Sequence, residues 1–154
     1  SEEFLWKNSP ESERGNYDYL MDIINWEINA DADLYKNRFM APITIFENAK
    51  CKEEWICYKY SEVSAKRLTV YPKQSVKVSD SSPYGLILLQ GKGKMGVWDI
   101  ETPTLIRYGQ ITSDEFFVSY NAAANGVEIT NTSEEPLVML KHFSYNPELT
   151  KLNK

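Results

Sequence analysis

From Glu53 to Phe143 the chain reads as one short strand after another, and this pattern constrains the fold more than any other feature. The segments 55–60, 67–71, 75–78, 84–90, 94–99, 104–108, 115–119, 127–131 and 137–143 are rich in β-branched and aromatic residues or alternate polar with apolar. Pro72, Ser81-Ser82-Pro83, Gly91, Pro103, Gly109, Asn125-Gly126 and Ser133 to Pro136 punctuate them at fairly even intervals. Many short strands so separated predict an all-β sandwich or barrel, not alternating β and α units.

A chain of 154 residues is one ordinary domain, long enough to bury a core. Its 42% hydrophobic and 25% charged content is globular. A net charge of −5 without a Lys/Arg run gives no general attraction to nucleic acid or an anionic membrane. The longest apolar runs fall far short of a membrane span, and with no signal segment a cytoplasmic location is expected. The chain starts without Met, which suits a piece of a longer protein. Cys51 and Cys57 are spaced wrongly for a C-x-x-C pair. Cys57 is expected as a strand hydrophobe and Cys51 as a free thiol.

Residues 1–50 read as an N-terminal extension packed on the barrel, 51–146 as the barrel and 147–154 as a polar tail. The first fifteen residues look like an extended arm carrying an aromatic cluster, Phe4-Leu5-Trp6. Residues 16–26 have approximate helical spacing, while 23–28 also suit a strand, and periodicity does not choose. Asn29 to Asp33 reads as a turn and helix cap. Glu53-Glu54 and Glu134-Glu135 read as solvated pairs in turns.

The segment 71–96, YPKQSVKVSDSSPYGLILLQGKGKMG, resembles the first motif of the cupin superfamily, RmlC-like jelly-roll β-barrels also described as double-stranded β-helices. That motif, G-x5-H-x-H-x3-E-x6-G, normally supplies three metal ligands. Here Pro72 stands for the first glycine, Val78 and Asp80 for the histidines, and Tyr84 for the glutamate, while Gly91 keeps its place. Gly91 and Gly93 are expected to form a tight, positive-φ turn between antiparallel strands. Residues 113–118 and 131–138 resemble the opening and close of the second motif, with Asn125 placed nearest its histidine. The resemblance covers about residues 65 to 145. It implies a mainly β, cupin-like jelly-roll barrel with a short helical or extended N-terminal extension, and a degenerate member without the metal ligands. No metal and no cofactor are expected. The chain's one histidine, His142, lies off both motifs.

Strand parity selects the interior residues. If Tyr84 points inward, so do Leu86, Leu88 and Gln90, with Val78 and Asp80 from the neighbouring strand. If Asn125 points inward, so do Val127 and Ile129. In the last strand either Lys141 or His142 faces in, and the pattern leaves both open. The candidate ligand-binding residues are therefore Asp80, Tyr84, Gln90, Asn125, Lys141 and His142. A filled core and an open pocket are equally compatible with this set.

The expected function is a non-catalytic, metal-free cupin-like domain that binds a small polar molecule such as a sugar, assembles as a homodimer, or both. The alternative is a metal-independent sugar epimerase or isomerase using a residue pair inside the barrel, which requires His142 and Tyr84 to share one cavity.

Overall fold

The computed structural model describes residues 2–60, 62–103 and 108–151 and divides the chain into two compact units, residues 1–39 and 40–154. The first unit is helical. It comprises α1 (Glu2–Trp6), a 3-10 turn at Glu11–Glu13, α2 (Tyr17–Asp22), α3 (Trp26–Asn29) and α4 (Leu34–Arg38). Local capping explains why helix wins over strand here. The Asn16 side chain accepts from the Tyr19 amide at 3.2 Å and the Asn25 side chain from the Ile28 amide at 3.1 Å, satisfying donors that a helix start leaves open. The expected extended arm is thus helical at Glu2–Trp6, where Trp6 is buried with its ring edge against Tyr17 at 5.3 Å.

The second unit is a jelly-roll barrel of antiparallel strands. It contains β1 (Ile43–Glu47), β2 (Cys51–Cys57), β3 (Ser64–Val70), β4 (Ser75–Val78), β5 (Tyr84–Gln90), β6 (Lys92–Met95), β7 (Trp98–Glu101), β8 (Glu115–Val118), α5 (Tyr120–Asn125), β9 (Val127–Asn131) and β10 (Leu137–Phe143). A 3-10 turn, Pro147–Lys151, follows. One sheet has the order β1-β2-β3-β10-β5-β8 and the other β4-β9-β6-β7. β1 lies within the segment read as extension, yet it pairs with β2, so the sheet begins before residue 50. Of the strand expected at 104–108, residues 104–107 lie outside the described residues.

Alternation builds the core. Leu68 and Val70 of β3, Leu86 and Leu88 of β5, and Leu137, Met139 and Phe143 of β10 are buried in one cluster with Val78, Met95, Ile100 and Ile129 of the smaller sheet. Each such side chain contributes roughly 1.5–3 kcal/mol by leaving water, so apolar contact holds the two sheets together. Both cysteines are free and both lie in β2; Cys51 is the free thiol expected but sits in the core, while Cys57 is half-buried.

The glycines after β5 do different work from the hairpin expected of them. Gly91 does take a positive φ, +86°, but it carries the chain from the larger sheet to the smaller one, since β5 and β6 do not pair. Gly93 is needed for space: a Cβ there would lie 2.2 Å from the Thr130 carbonyl oxygen on the paired strand β9. The hairpin itself joins β6 to β7 at Gly96, φ +57°.

Candidate functional site

The inward phase of four strands and one turn brings ionisable groups together inside the barrel. β3 places Ser64 and Lys66 in the same phase as Leu68 and Val70, and all four are buried. β10 places Lys141 in phase with Leu137, Met139 and Phe143. β2 contributes Glu53 between Cys51 and Trp55. Asp80 follows β4, with its amide hydrogen-bonded to the Ala123 carbonyl of α5 at 3.0 Å, and Tyr84 opens β5.

The Asp80 carboxylate lies between two ammonium groups. Lys66 Nζ donates to Oδ1 and Lys141 Nζ to Oδ2, each at 2.7 Å. Glu53 joins from the other side, its Oε1 paired with Lys141 and its Oε2 4.0 Å from Lys66. Lys66 also donates to Glu148 Oε2 at 2.7 Å. The side chains of Lys66, Lys141, Asp80 and Glu53 are at most 4% exposed, while that of Glu148 is 30% exposed. Lys66 Nζ also lies 4.8 Å from the centre of the Trp55 ring, and Lys141 Nζ 5.3 Å from that of Tyr84.

Burial raises the pKa of Asp80, but Lys141 and Lys66 outweigh it and hold the carboxyl below its ordinary value. Burial pushes the Tyr84 hydroxyl above its ordinary value, and the Asp80 and Glu53 charges add to that. A close pair attracts by about 6 kcal/mol at an effective dielectric near 20, while each buried ion costs several kcal/mol in lost hydration. The two sums nearly cancel. The cluster therefore contributes little net stability, but removing one member leaves a charge stranded.

Of the six residues expected to line the interior, the structure brings together Asp80, Tyr84 and Lys141. His142 takes the outer phase of β10 and is exposed, its imidazole lying over Gly85, where an added Cβ would be 2.1 Å from Nε2. That resolves the choice between Lys141 and His142. Gln90 is exposed because β5 carries a bulge: Met139 pairs with Leu88 but Val138 with Gln90, so the alternation resets around Leu89. Asn125 is exposed because 120–125 form a helix, N-capped by Ser119 and ended by Gly126 at φ +85°, and Ala123 takes the buried position instead. Asn125 instead lines a surface groove of about 460 Å³ with Met95, Trp98 and Phe117.

Sequence reasoning missed Lys66, Glu148 and Glu53, the last of which had been assigned to a solvated pair. Glu53 and Glu54 are both buried: Glu54 accepts from Arg67 Nη2 at 2.7 Å, and Lys52 beside it lowers its pKa. The available signal was a charged residue in the apolar phase of an alternating strand, Cys51-x-Glu53-x-Trp55 and Lys66-x-Leu68-x-Val70. Glu148 carried no such signal, since it lies beyond the last strand.

The donor set does not fit the metal that the cupin motif implies. Val78 has no donor, Tyr84 presents a hydroxyl held protonated, and the Asp80 and Glu53 oxygens are engaged by ammonium groups. Among the described residues no three His, Cys, Asp or Glu side chains converge as a ligand set.

No family model and no curated protein matches the chain. Solved structures do. A chain of the Rhodobacter sphaeroides complex of SigE with the anti-sigma ChrR is similar over 90% of this chain and 72% of its own length, at TM-score 0.50 and 11% identity. Lactobacillus farciminis oxalate decarboxylase, in a formate complex, matches 70% of this chain at TM-score 0.48 and 23% identity, and this chain spans only 32% of its length. An RmlC-like cupin from Shewanella frigidimarina matches 72% of this chain and 93% of its own, at TM-score 0.48 and 10% identity. Identities this low speak to fold alone, and the jelly roll rests on the two antiparallel sheets themselves.

Proposed function

We propose, from the premise of a cupin barrel, that this is a non-catalytic, metal-free domain that serves assembly as a homodimer. The observation that carries the reading is the self-sufficiency of the interior. Both buried ammonium groups are engaged by carboxylates of the same chain, at the place where a catalytic cupin would present open ligands. The epimerase alternative loses its base, because His142 lies on the opposite face of β10 from Tyr84.

Assembly is supported by the outer face of the larger sheet. Leu140 and Ile87 are register partners there, Val138 lies one step along β10, and Leu89 and Phe117 are 51% and 76% exposed. Apolar side chains in a row on a sheet face suit a self-complementary contact with a second copy. The reading predicts a dimer by light scattering at micromolar concentration, converted to monomer by Leu140→Glu with the circular dichroism spectrum unchanged. A wild-type monomer at every concentration tested would reject it.

Binding of a small polar molecule such as a sugar is a second reading, and it draws on a different observation. The groove beside α5 pairs the exposed Trp98 and Phe117 rings with the Asn125 amide, the combination that suits stacking and hydrogen bonding to a sugar ring. A saturable melting-point rise with one sugar class, abolished by Trp98→Ala, is the expected result. No rise with any sugar would remove this reading and leave assembly.

A further inference from the structure

We propose that residues 17–35 are a docking surface for a second protein, and that the occupant is a basic amphipathic helix of that protein. The surface belongs to the helical unit and shares no residue with the sheet face or the groove beside α5, so it stands or falls apart from both readings above. Three observations converge on it.

The first is apolar surface that the unit does not bury. α2, α3 and α4 contain no buried side chain. Along them, Met21, Ile23, Ile24, Trp26 and Ile28 are 36% to 61% exposed within one short stretch. The Trp26 indole donates to the Met21 carbonyl at 2.9 Å, which fixes the ring while half of it faces solvent. A large aromatic held in this way beside aliphatic neighbours is the kind of anchor on which protein contacts centre. Helices of four to six residues are also too short to persist by propensity alone, so contact from outside completes this segment.

The second is charge, which decides the occupant. Residues 15–35 carry Asp18, Asp22, Glu27, Asp31 and Asp33 and no Lys or Arg. The rest of the chain is balanced, with 17 Lys and Arg against the 17 that remain of its 22 Asp and Glu. The whole net charge of −5 therefore sits in this one segment. Asp18, Asp22, Glu27 and Asp33 are exposed, and among the described residues none of the five is in a salt bridge. A second copy of the segment repels it, a barrel of zero net charge gives it no complement, and nucleic acid or an anionic membrane carries the wrong sign. A partner that sets Lys and Arg around an apolar surface answers both the carboxylates and the exposed side chains.

The third is size and spacing. The apolar run spans only residues 21–28, with Asp18 and Asp22 at its start and Glu27, Asp31 and Asp33 at its end. So narrow a run suits one helix and not a broad flat surface. An amphipathic helix has the matching layout, an apolar stripe roughly 100° wide with charged residues on its flanks. Its stripe lies on Ile24 and Trp26, and its flanking cations meet the carboxylates.

The test uses the complete chain and a labelled Leu/Lys peptide of about five helical turns, with Leu on one face and Lys on the other. Fluorescence anisotropy should show saturable binding with a Kd of about 1–100 μM at low salt, weakened at least about tenfold by roughly 0.3 M salt. The pair Ile24→Ser and Trp26→Ser, and separately the pair Asp22→Asn and Glu27→Gln, should each weaken it about tenfold or more. None of these four residues is buried. Amide NMR of the wild type, which needs no variant, should place the largest peptide-induced shifts within residues 17–35. Equal binding of a Ser/Lys peptide of the same charge would mean unspecific attraction. Binding unchanged by both pairs, shifts centred on the barrel, or no binding up to about millimolar peptide would mean no such surface. Self-association lost with Ile24→Ser and Trp26→Ser would mean that a second copy covers the face, and sedimentation with neutral phosphatidylcholine vesicles, lost with Trp26→Ser, that a membrane does. Each of these overturns the proposal, whereas a wild-type monomer in light scattering bears only on the assembly reading.

Discussion

Asp80 holds both interior lysines through its two oxygens, so its loss is felt twice. Asp80→Asn keeps the shape but takes one charged partner from each ammonium group, and weakening buried pairs in this way costs about 3–5 kcal/mol. Urea unfolding monitored by tryptophan fluorescence should show that loss as a lower midpoint at an unchanged slope. The pH dependence follows from the same contacts. A carboxyl whose pKa is lower folded than unfolded contributes stability that is complete above its unfolded value, near 4. That contribution is lost as pH falls through the lower folded value, so acid unfolding should steepen below about pH 4, and less so in Asp80→Asn. Tyr84 acts at the other end. Its hydroxyl titrates higher folded than unfolded, so its contribution is complete below about pH 10 and is lost as pH rises through the folded value. Tyrosinate absorbance should therefore show one group, missing in Tyr84→Phe, that ionises only with unfolding.

At the scale of the element, the turn between β9 and β10 depends on one amide. Asn131 Nδ2 donates to the Val70 carbonyl at 2.9 Å and to the Glu135 carbonyl at 2.7 Å, while Oδ1 accepts from the Ser133 amide and hydroxyl. A 1% exposed side chain thus satisfies backbone groups of the turn and the last carbonyl of β3. Asn131→Ala leaves two carbonyls without these donors and should cost about 2–4 kcal/mol by thermal or urea unfolding, whereas Glu134→Ala, on an 83% exposed side chain in the same turn, should cost under about 0.5 kcal/mol. The edges of the larger sheet differ in character. β1 carries a bulge at Thr44–Phe46, a device that discourages edge pairing, whereas β8 presents the exposed Phe117. This contrast agrees with assembly through the face beside β8.

For the whole molecule, the division at Phe39–Met40 has a direct consequence. Residues 40–154 contain both sheets and every residue of the apolar cluster from Cys51 to Leu149. A chain of residues 40–154 should therefore unfold in one cooperative transition with a midpoint within a few degrees of the complete chain, as calorimetry would show. Among the described residues no helix is long and apolar enough to cross a membrane.

Several strands and the all-β class were legible in the sequence, whereas 94–99, read as one strand, spans the hairpin from β6 to β7. Segments 75–78, 84–90, 127–131 and 137–143 are strands at the bounds their alternation and turn residues predict, because side-chain period and backbone preference are local properties. The sequence also put Asp80 and Tyr84 inside, since parity counted from a motif position is local too. Parity fails wherever the ladder slips or coils. One bulge turned Gln90 outward and one helical turn did the same to Asn125, and neither leaves a mark in the alternation. Only the tertiary structure decided between Lys141 and His142, joined Lys66 to Asp80 across fourteen residues, and brought Glu148 back to Lys66 across eighty-two. The physical reason is that a buried charge is tolerable only beside its partners, and those partners are chosen by how the sheets close rather than by spacing along the chain.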